Sequence, residues 1–72
     1  MTMKSEKAVL VVRDCLGVAA QINDRIAVRA EAGVKLDRND TTFLVRVLRS
    51  ALCAAQELDQ RAMGQPEPKR GD

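Results

Sequence analysis

The chain has 72 residues, with 12 basic and 10 acidic side chains, no histidine and two cysteines. A net charge of +2 is too small to indicate a polyanionic partner by itself, and the single aromatic residue, Phe43, provides no platform for stacking unpaired bases. Two cysteines without histidine fall short of the four ligands that a closed zinc site takes, so we expect neither a metal nor a cofactor.

The first predicted element is a long helix over about residues 6–32. Its apolar residues recur at alternating gaps of four and three, which is typical of the packed seam of a helix. The seam consists of Ala8, Val12, Cys15, Ala19, Ile22 and Ile26. Ser5 is the expected N-cap, and Gly33 is the expected left-handed residue that ends the helix. The β-branched run at residues 8–12 could form a buried strand, but a lone strand would have no partner within the chain, so we favour the helix.

A short polar segment follows, and a second helix is predicted over about residues 41–63. The three residues at 39–41 are all good N-cap types, and Gly64 is a candidate for the C-terminal cap. The seam of this helix is predicted to be Leu44, Leu48, Ala51, Ala55, Leu58 and Ala62. Residues 1–64 should therefore form one helical hairpin. Two prolines forbid continuation, so residues 65–72 are predicted to be a disordered tail.

The predicted register keeps the two cysteines apart. With these helix ends, the numbers of facing residues add to about 74, which sets Cys15 opposite Asp59 and Cys53 opposite Gln21. The two cysteines are then offset by about six residues, roughly 9 Å along the axis, which exceeds the ~7 Å Cα limit for a disulfide. Free thiols, the lack of a signal peptide and the lack of a long apolar run lead us to expect a soluble cytoplasmic protein.

Apolar residues remain outside the seam on both helices. They are Val9, Leu10, Val11, Leu16 and Val18 in the first helix, and Phe43, Val45, Val47, Leu52, Cys53 and Ala54 in the second. A helix that is apolar on most of its circumference must be buried on more than one side. We therefore expect an all-α fold in which two antiparallel hairpins associate by an isologous interface into a four-helix bundle.

The candidate partner site is a group of arginines that the hairpin gathers near its turn. Between residues 25 and 49 the sequence has six basic and three acidic residues, a local net charge of +3. Arg29 falls where the seam would next require an apolar residue, so its charge must be paired or reach solvent. One interpretation is a solvated basic face with local ion pairs; the other is that Arg29 and Arg46 grip an acidic group of a partner. The predicted partner-binding residues are Arg25, Arg29, Arg46, Arg49, Phe43, Val45 and Leu52.

These features predict a non-enzymatic protein, because no histidine, metal site or Gly-rich phosphate loop is available for an active site. The preferred hypothesis is a small regulator, such as an inhibitor, anti-activator or adaptor of the kind that phages and plasmids encode. It would bind a bacterial target protein through the apolar and arginine surface.

Two alternatives remain open. The predicted plan is similar in architecture to Rop, the plasmid copy-number protein, a dimer of helical hairpins that binds paired RNA loops. That similarity implies a binder of RNA, DNA or a nucleotide at the basic end of the bundle, with an affinity that falls steeply with salt. The third hypothesis is an assembly or chaperone-like subunit whose apolar surface is covered in a larger complex.

Overall fold

The computed structural model describes residues 4–64, which form two helices joined by a short connection. Helix α1 spans Ser5–Ala32 and helix α2 spans Arg38–Ala62. The helices pack against each other as an antiparallel hairpin, since Arg25 contacts Asp40 near the connection and Arg61 contacts Ser5 at the open end. The predicted all-α hairpin is confirmed, and the run at residues 8–12 is helical. The predicted tail at 65–72 lies outside the described residues.

Local interactions explain where α1 begins and ends. Lys4 occupies the N-cap position without a side-chain cap bond, so the prediction that Ser5 caps the helix is wrong. The Ser5 hydroxyl instead accepts a hydrogen bond of 3.3 Å from Nη1 of Arg61. At the other end Gly33 adopts φ 72°, and the N–H groups of Gly33 and Val34 donate to the carbonyls of Ala30 and Arg29. This is the Schellman pattern, so Gly33 ends α1 as predicted.

Helix α2 begins three residues earlier than predicted because Asp37 caps it. Oδ1 of Asp37 accepts a hydrogen bond of 2.8 Å from the backbone N–H of Asn39, the second residue of the helix. The segment 39–41, which was predicted to supply the cap, therefore lies inside the first turn. At the other end of α2 the C-cap is Met63 and not Gly64, which corrects the prediction; Gly64 follows it with φ 107°.

Replacing the cap at Asp37 tests this boundary. We expect Asp37→Ala to lower the free energy of unfolding by about 0.5–2 kcal/mol, because the N–H of Asn39 loses its acceptor. Asp37→Ser, which keeps an acceptor oxygen, should retain most of the stability. Urea unfolding followed by circular dichroism measures the difference. Equal losses in the two variants would show that the cap bond contributes nothing.

The early start of α2 also changes the register of the hairpin. In the contacts at the two ends, the numbers of the facing residues add to 65 and 66, where the prediction used about 74. Cys15 therefore lies near the level of Ala51 and not of Asp59, which corrects the predicted pairing. Both thiols are free, Cys15 half-buried and Cys53 exposed. They lie at similar levels along the axis, and they are kept apart because Cys15 belongs to the seam and Cys53 does not.

Most of the buried positions in the seam between the helices are alanines. The buried apolar residues are Ala8, Ala19, Ile22, Ala51 and Ala54. Val12, Cys15 and Ile26 of α1 are half-buried, so the α1 seam lies where the sequence predicted it.

The α2 seam is rotated relative to the prediction. Leu44, Ala51 and Leu58 belong to the seam as predicted, and the positions between them that are buried or half-buried are Val47 and Ala54. The predicted Leu48 is 43% exposed, and the predicted Ala55 and Ala62 are exposed as well. Both choices obey the same alternating gaps. The observed choice places Ala54 and Val47, which is smaller than Leu48, inside, and it leaves Leu48 and Ala55 exposed beside the seam.

Candidate protein-interaction surfaces

The structure assigns Arg25 and Arg29 to the hairpin itself. Nη2 of Arg25 lies 3.2 Å from Oδ1 of Asp40 and links α1 to the first turn of α2. Nη1 of Arg29 donates a hydrogen bond of 2.8 Å to the carbonyl of Lys35 in the connection. The charge of Arg29 is thus paired with a backbone dipole in the turn that Gly33 opens.

The structure does not bring Arg29 and Arg46 together. By the observed register, Arg46 lies about nine residues farther from the connection than Arg29, roughly 14 Å along the axis. The guanidinium of Arg29 is also engaged with Lys35. A shared grip on one acidic group, which the sequence left open, does not match this arrangement.

Three other arginines have exposed side chains and no partner within residues 4–64. Arg38, Arg46 and Arg49 are exposed, and none makes a hydrogen bond through its side chain or an ion pair with a described residue. Their guanidinium groups are therefore available to a partner's carboxylate or phosphate. Phe43, one turn before Arg46, is about half exposed.

The two sides of the hairpin follow from helix geometry. Seen from its N-terminus, a right-handed α-helix turns clockwise, and α2 faces α1 while running the opposite way. Stepping one residue past the seam therefore reaches the same side of the hairpin on both helices. This surface, the apolar face, consists of Val9, Arg13, Leu16, Ala20, Asn23 and Ala27 of α1, and Thr41, Val45, Leu48, Leu52, Ala55 and Asp59 of α2.

The apolar face holds large exposed side chains with little charge among them. Val9, Leu16, Val45 and Leu52 are all more than half exposed, and Leu48 adds to the same patch. Arg13 and Asp59 are its only charged members. Contiguous apolar patches of this kind are typical of protein association sites, ligand grooves and membrane contacts.

The opposite surface, the polar face, comprises the residues that precede each seam residue. Its members are Lys7, Val11, Asp14, Val18, Gln21 and Arg25 of α1, and Phe43, Arg46, Ser50, Cys53 and Glu57 of α2. Five of them are charged at neutral pH, so this side resembles an ordinary solvated surface with an aromatic residue at one end. The predicted partner-binding residues are thus divided: Val45 and Leu52 lie on the apolar face, and Phe43 and Arg46 on the polar face.

Part of the apolar face was not recognised from the sequence. Leu48 and Ala55 were expected in the seam, and Val9 and Leu16 were counted in the apolar surface that should pair two hairpins without being placed on one side of the hairpin. The signal was present: positions 45, 48, 52 and 55 repeat the gaps of three and four that mark a packed stripe. Recognising two parallel stripes on α2 would have identified this face.

Several kinds of functional site find no support among the described residues. Within residues 4–64 no group of three or more metal-ligating side chains could hold a metal ion, and neither helix is long and apolar enough to cross a membrane. Comparisons of the chain with protein-family models, curated protein sequences and solved structures gave no match.

Proposed function

We propose that this chain is a small non-enzymatic regulatory protein that binds a bacterial target protein as a homodimer, two hairpins forming an antiparallel four-helix bundle. The observation that carries the proposal is the exposed apolar face beside arginines without partners in the described structure. Large apolar side chains and arginine are enriched at protein interfaces, whereas a catalytic site needs a pocket and titratable groups that converge on it.

Within this proposal, the target-binding patch consists of Phe43, Arg46 and Arg49. Phe43 is half exposed beside Arg46, and both arginines lack a partner among the described residues. Phenylalanine and arginine are enriched at protein interfaces, and arginine is also enriched among the residues that contribute most of the binding energy. The patch predicts a target surface that offers carboxylates around an apolar pocket.

Charge reversal in the patch tests the proposal. We expect the double substitution Arg46→Glu and Arg49→Glu to reduce capture of the target from a bacterial lysate at least about tenfold, since losing one desolvated charged contact costs ~1.4 kcal/mol or more. Helix content should not change. The measurement is a tagged pull-down with and without nuclease, followed by mass spectrometry.

A matched control reverses the same amount of charge at the far end of the hairpin. Lys4→Glu with Lys7→Glu should capture as much target as the unchanged protein, because both lysines are exposed at the open end. If the two double variants lose capture equally, the effect is one of net charge and the patch is not the binding site.

Nucleic acid is the second candidate, favoured by the three exposed arginines Arg38, Arg46 and Arg49. Phosphate contacts would make the affinity fall steeply as salt rises. Bound material that disappears on nuclease treatment, together with a gel shift by structured RNA at low salt, would replace the protein target by RNA. Absence of any shift at low salt would remove this candidate.

A further inference from the structure

The hairpin's own core is too small to hold it together. Ile22 is the only large side chain that is almost fully buried within residues 4–64, and the other four buried apolar residues are alanines. Chains of this size need a disulfide, a metal or an association partner to offset the loss of conformational entropy on folding. Both cysteines are free. The apolar face therefore has to be covered whenever the chain is folded, and the partner present whenever the chain is made is a second copy.

The α1 part of the apolar face is complementary to itself. Consider a second α1 packed antiparallel on this face, related to the first by a two-fold axis at the level of residue 18. Large side chains then lie opposite small ones, and polar side chains lie opposite polar ones. The pairs are Val9 with Ala27, Leu16 with Ala20, and Arg13 with Asn23. Alternation of large and small residues fills an interface without voids, and an asparagine side-chain carbonyl can accept a hydrogen bond from a guanidinium.

The α2 part is also symmetric about its own centre, but in a different way. With the axis at about the level of residue 48, the large apolar residues meet one another in the middle and smaller residues flank them. The pairs are Leu48 with itself, Thr41 with Ala55, and Val45 with Leu52, whose centre lies half a residue farther along α2. The axis thus runs through the most apolar part of the face, and this places the charged Asp59 near the end of the contact.

The two centres lie at similar levels in the folded hairpin. The contacts at its two ends, made by long arginine side chains, place residue 48 of α2 within about one helical turn of residues 17 and 18 of α1. One two-fold axis perpendicular to the helices can therefore relate α1 to the second α1 and α2 to the second α2. Those contacts, of Arg25 with Asp40 and of Arg61 with Ser5, involve none of the paired residues of the face, so they fix the register independently. The axis also passes close to the middle of α1 (Ser5–Ala32), so the two hairpins overlap along most of their length.

We infer that the apolar face is the dimer interface, with a two-fold axis perpendicular to the helices at the level of Leu48, α1 packed on α1 and α2 on α2 of the second copy. The inference rests on the homodimer of the proposed function and adds its face and its geometry. The two connections then lie at opposite ends of the bundle. Phe43 and Arg46 stay outside the interface, and Arg49 lies at its edge, one turn from Val45 and Leu52.

Cross-linking at two matched positions tests this geometry. Leu48 and Val18 lie at the same level, are 43% and 42% exposed, and belong to opposite faces. In a chain carrying Cys15→Ala and Cys53→Ser, Leu48→Cys should form a covalent dimer with a short bismaleimide, whereas Val18→Cys should not. Circular dichroism checks that both variants remain helical, and light scattering after gel filtration gives the mass before cross-linking.

The other outcomes overturn the inference. A cross-link through Val18→Cys in place of Leu48→Cys would assign the interface to the polar face. A dimer in which Leu48→Cys cross-links only with a Leu16→Cys chain would make the axis parallel to the helices. A folded monomer at micromolar concentration would remove both this interface and the proposed homodimer. If the predicted cross-link forms but no target is captured, the interface stands and the regulatory function fails.

Discussion

Leu48→Asp is expected to dissociate the dimer and, with it, to unfold the hairpin. Burying a leucine contributes about 1.5–3 kcal/mol, and the two-fold symmetry counts each substitution twice. Because Leu48 is 43% exposed in the single hairpin, the part of this burial lost with the dimer is about 1.3–2.6 kcal/mol for the two copies, roughly ten- to a hundredfold in Kd. The aspartates would also meet each other at the axis, where like charges repel. Equilibrium sedimentation over a range of concentrations measures the dissociation, and circular dichroism measures the loss of helix.

Val18→Asp is the matched control. Val18 has nearly the same exposure as Leu48 and lies at the same level on the polar face. Substitutions at such a solvated position change stability by about 0.5 kcal/mol or less. If Val18→Asp dissociates the protein and Leu48→Asp does not, the two faces have been assigned the wrong way round.

The residues of α1 were predictable from sequence because the apolar stripes on either side of its seam are interrupted by charged residues, Arg13 on one side and Asp14 on the other. Ala8, Ala19 and Ile22 repeat with gaps that fit a single seam, and the structure buries all three. Gly33 was equally clear, since a glycine directly after the last seam residue gives the chain the left-handed conformation that ends a helix.

Helix α2 has two apolar stripes that could form its seam, and the sequence alone could not decide between them. Stripes through Leu48 and Ala55 or through Val47 and Ala54 are equally regular, and both share Leu44, Ala51 and Leu58. The choice depends on how closely α1 approaches, which is a property of the pair of helices. A helix with two apolar stripes is itself a sign that two different surfaces cover it.

The register could not be predicted because it depends on where α2 begins. Four of the five residues from Asp37 to Thr41 can serve as an N-cap, and each step shifts every facing pair along the hairpin. Arg29 shows the same dependence. Its charge in the seam was recognisable, but its acceptor is the carbonyl of Lys35, whose position is set by the turn that Gly33 makes.

If one face of the hairpin forms the dimer and another binds the target, the chain can be folded while its binding surface is still free. If one surface had to cover the core and also capture a target, the hairpin would be unfolded until the target arrived. Assigning the apolar face to a second copy leaves Phe43 and Arg46 exposed in a folded dimer, and the two-fold axis presents the patch twice. Such a dimer can engage two copies of a target, or two sites on one, with a gain in avidity.

Ile22→Ala is expected to produce the largest loss of stability from any single truncation within residues 4–64. Ile22 is 2% exposed and is the one large side chain at the centre of an otherwise alanine-rich seam. Removing it costs about 2–5 kcal/mol per hairpin, because transfer free energy is lost and neighbouring alanines cannot fill the cavity. For a domain of this size each kcal/mol lowers Tm by about 4–8 °C. Thermal unfolding at fixed protein concentration measures the shift.

Val28→Ala provides the comparison for this loss. Val28 lies on the same helix but is 67% exposed, so its truncation should leave Tm within a few degrees of the unchanged protein. Because folding and association are coupled in the proposed dimer, a higher protein concentration should raise Tm of every variant, and the gap in Tm left by Ile22→Ala should persist at each concentration. A gap for Val28→Ala as large as that for Ile22→Ala would show that the burial of Ile22 contributes nothing special to the fold.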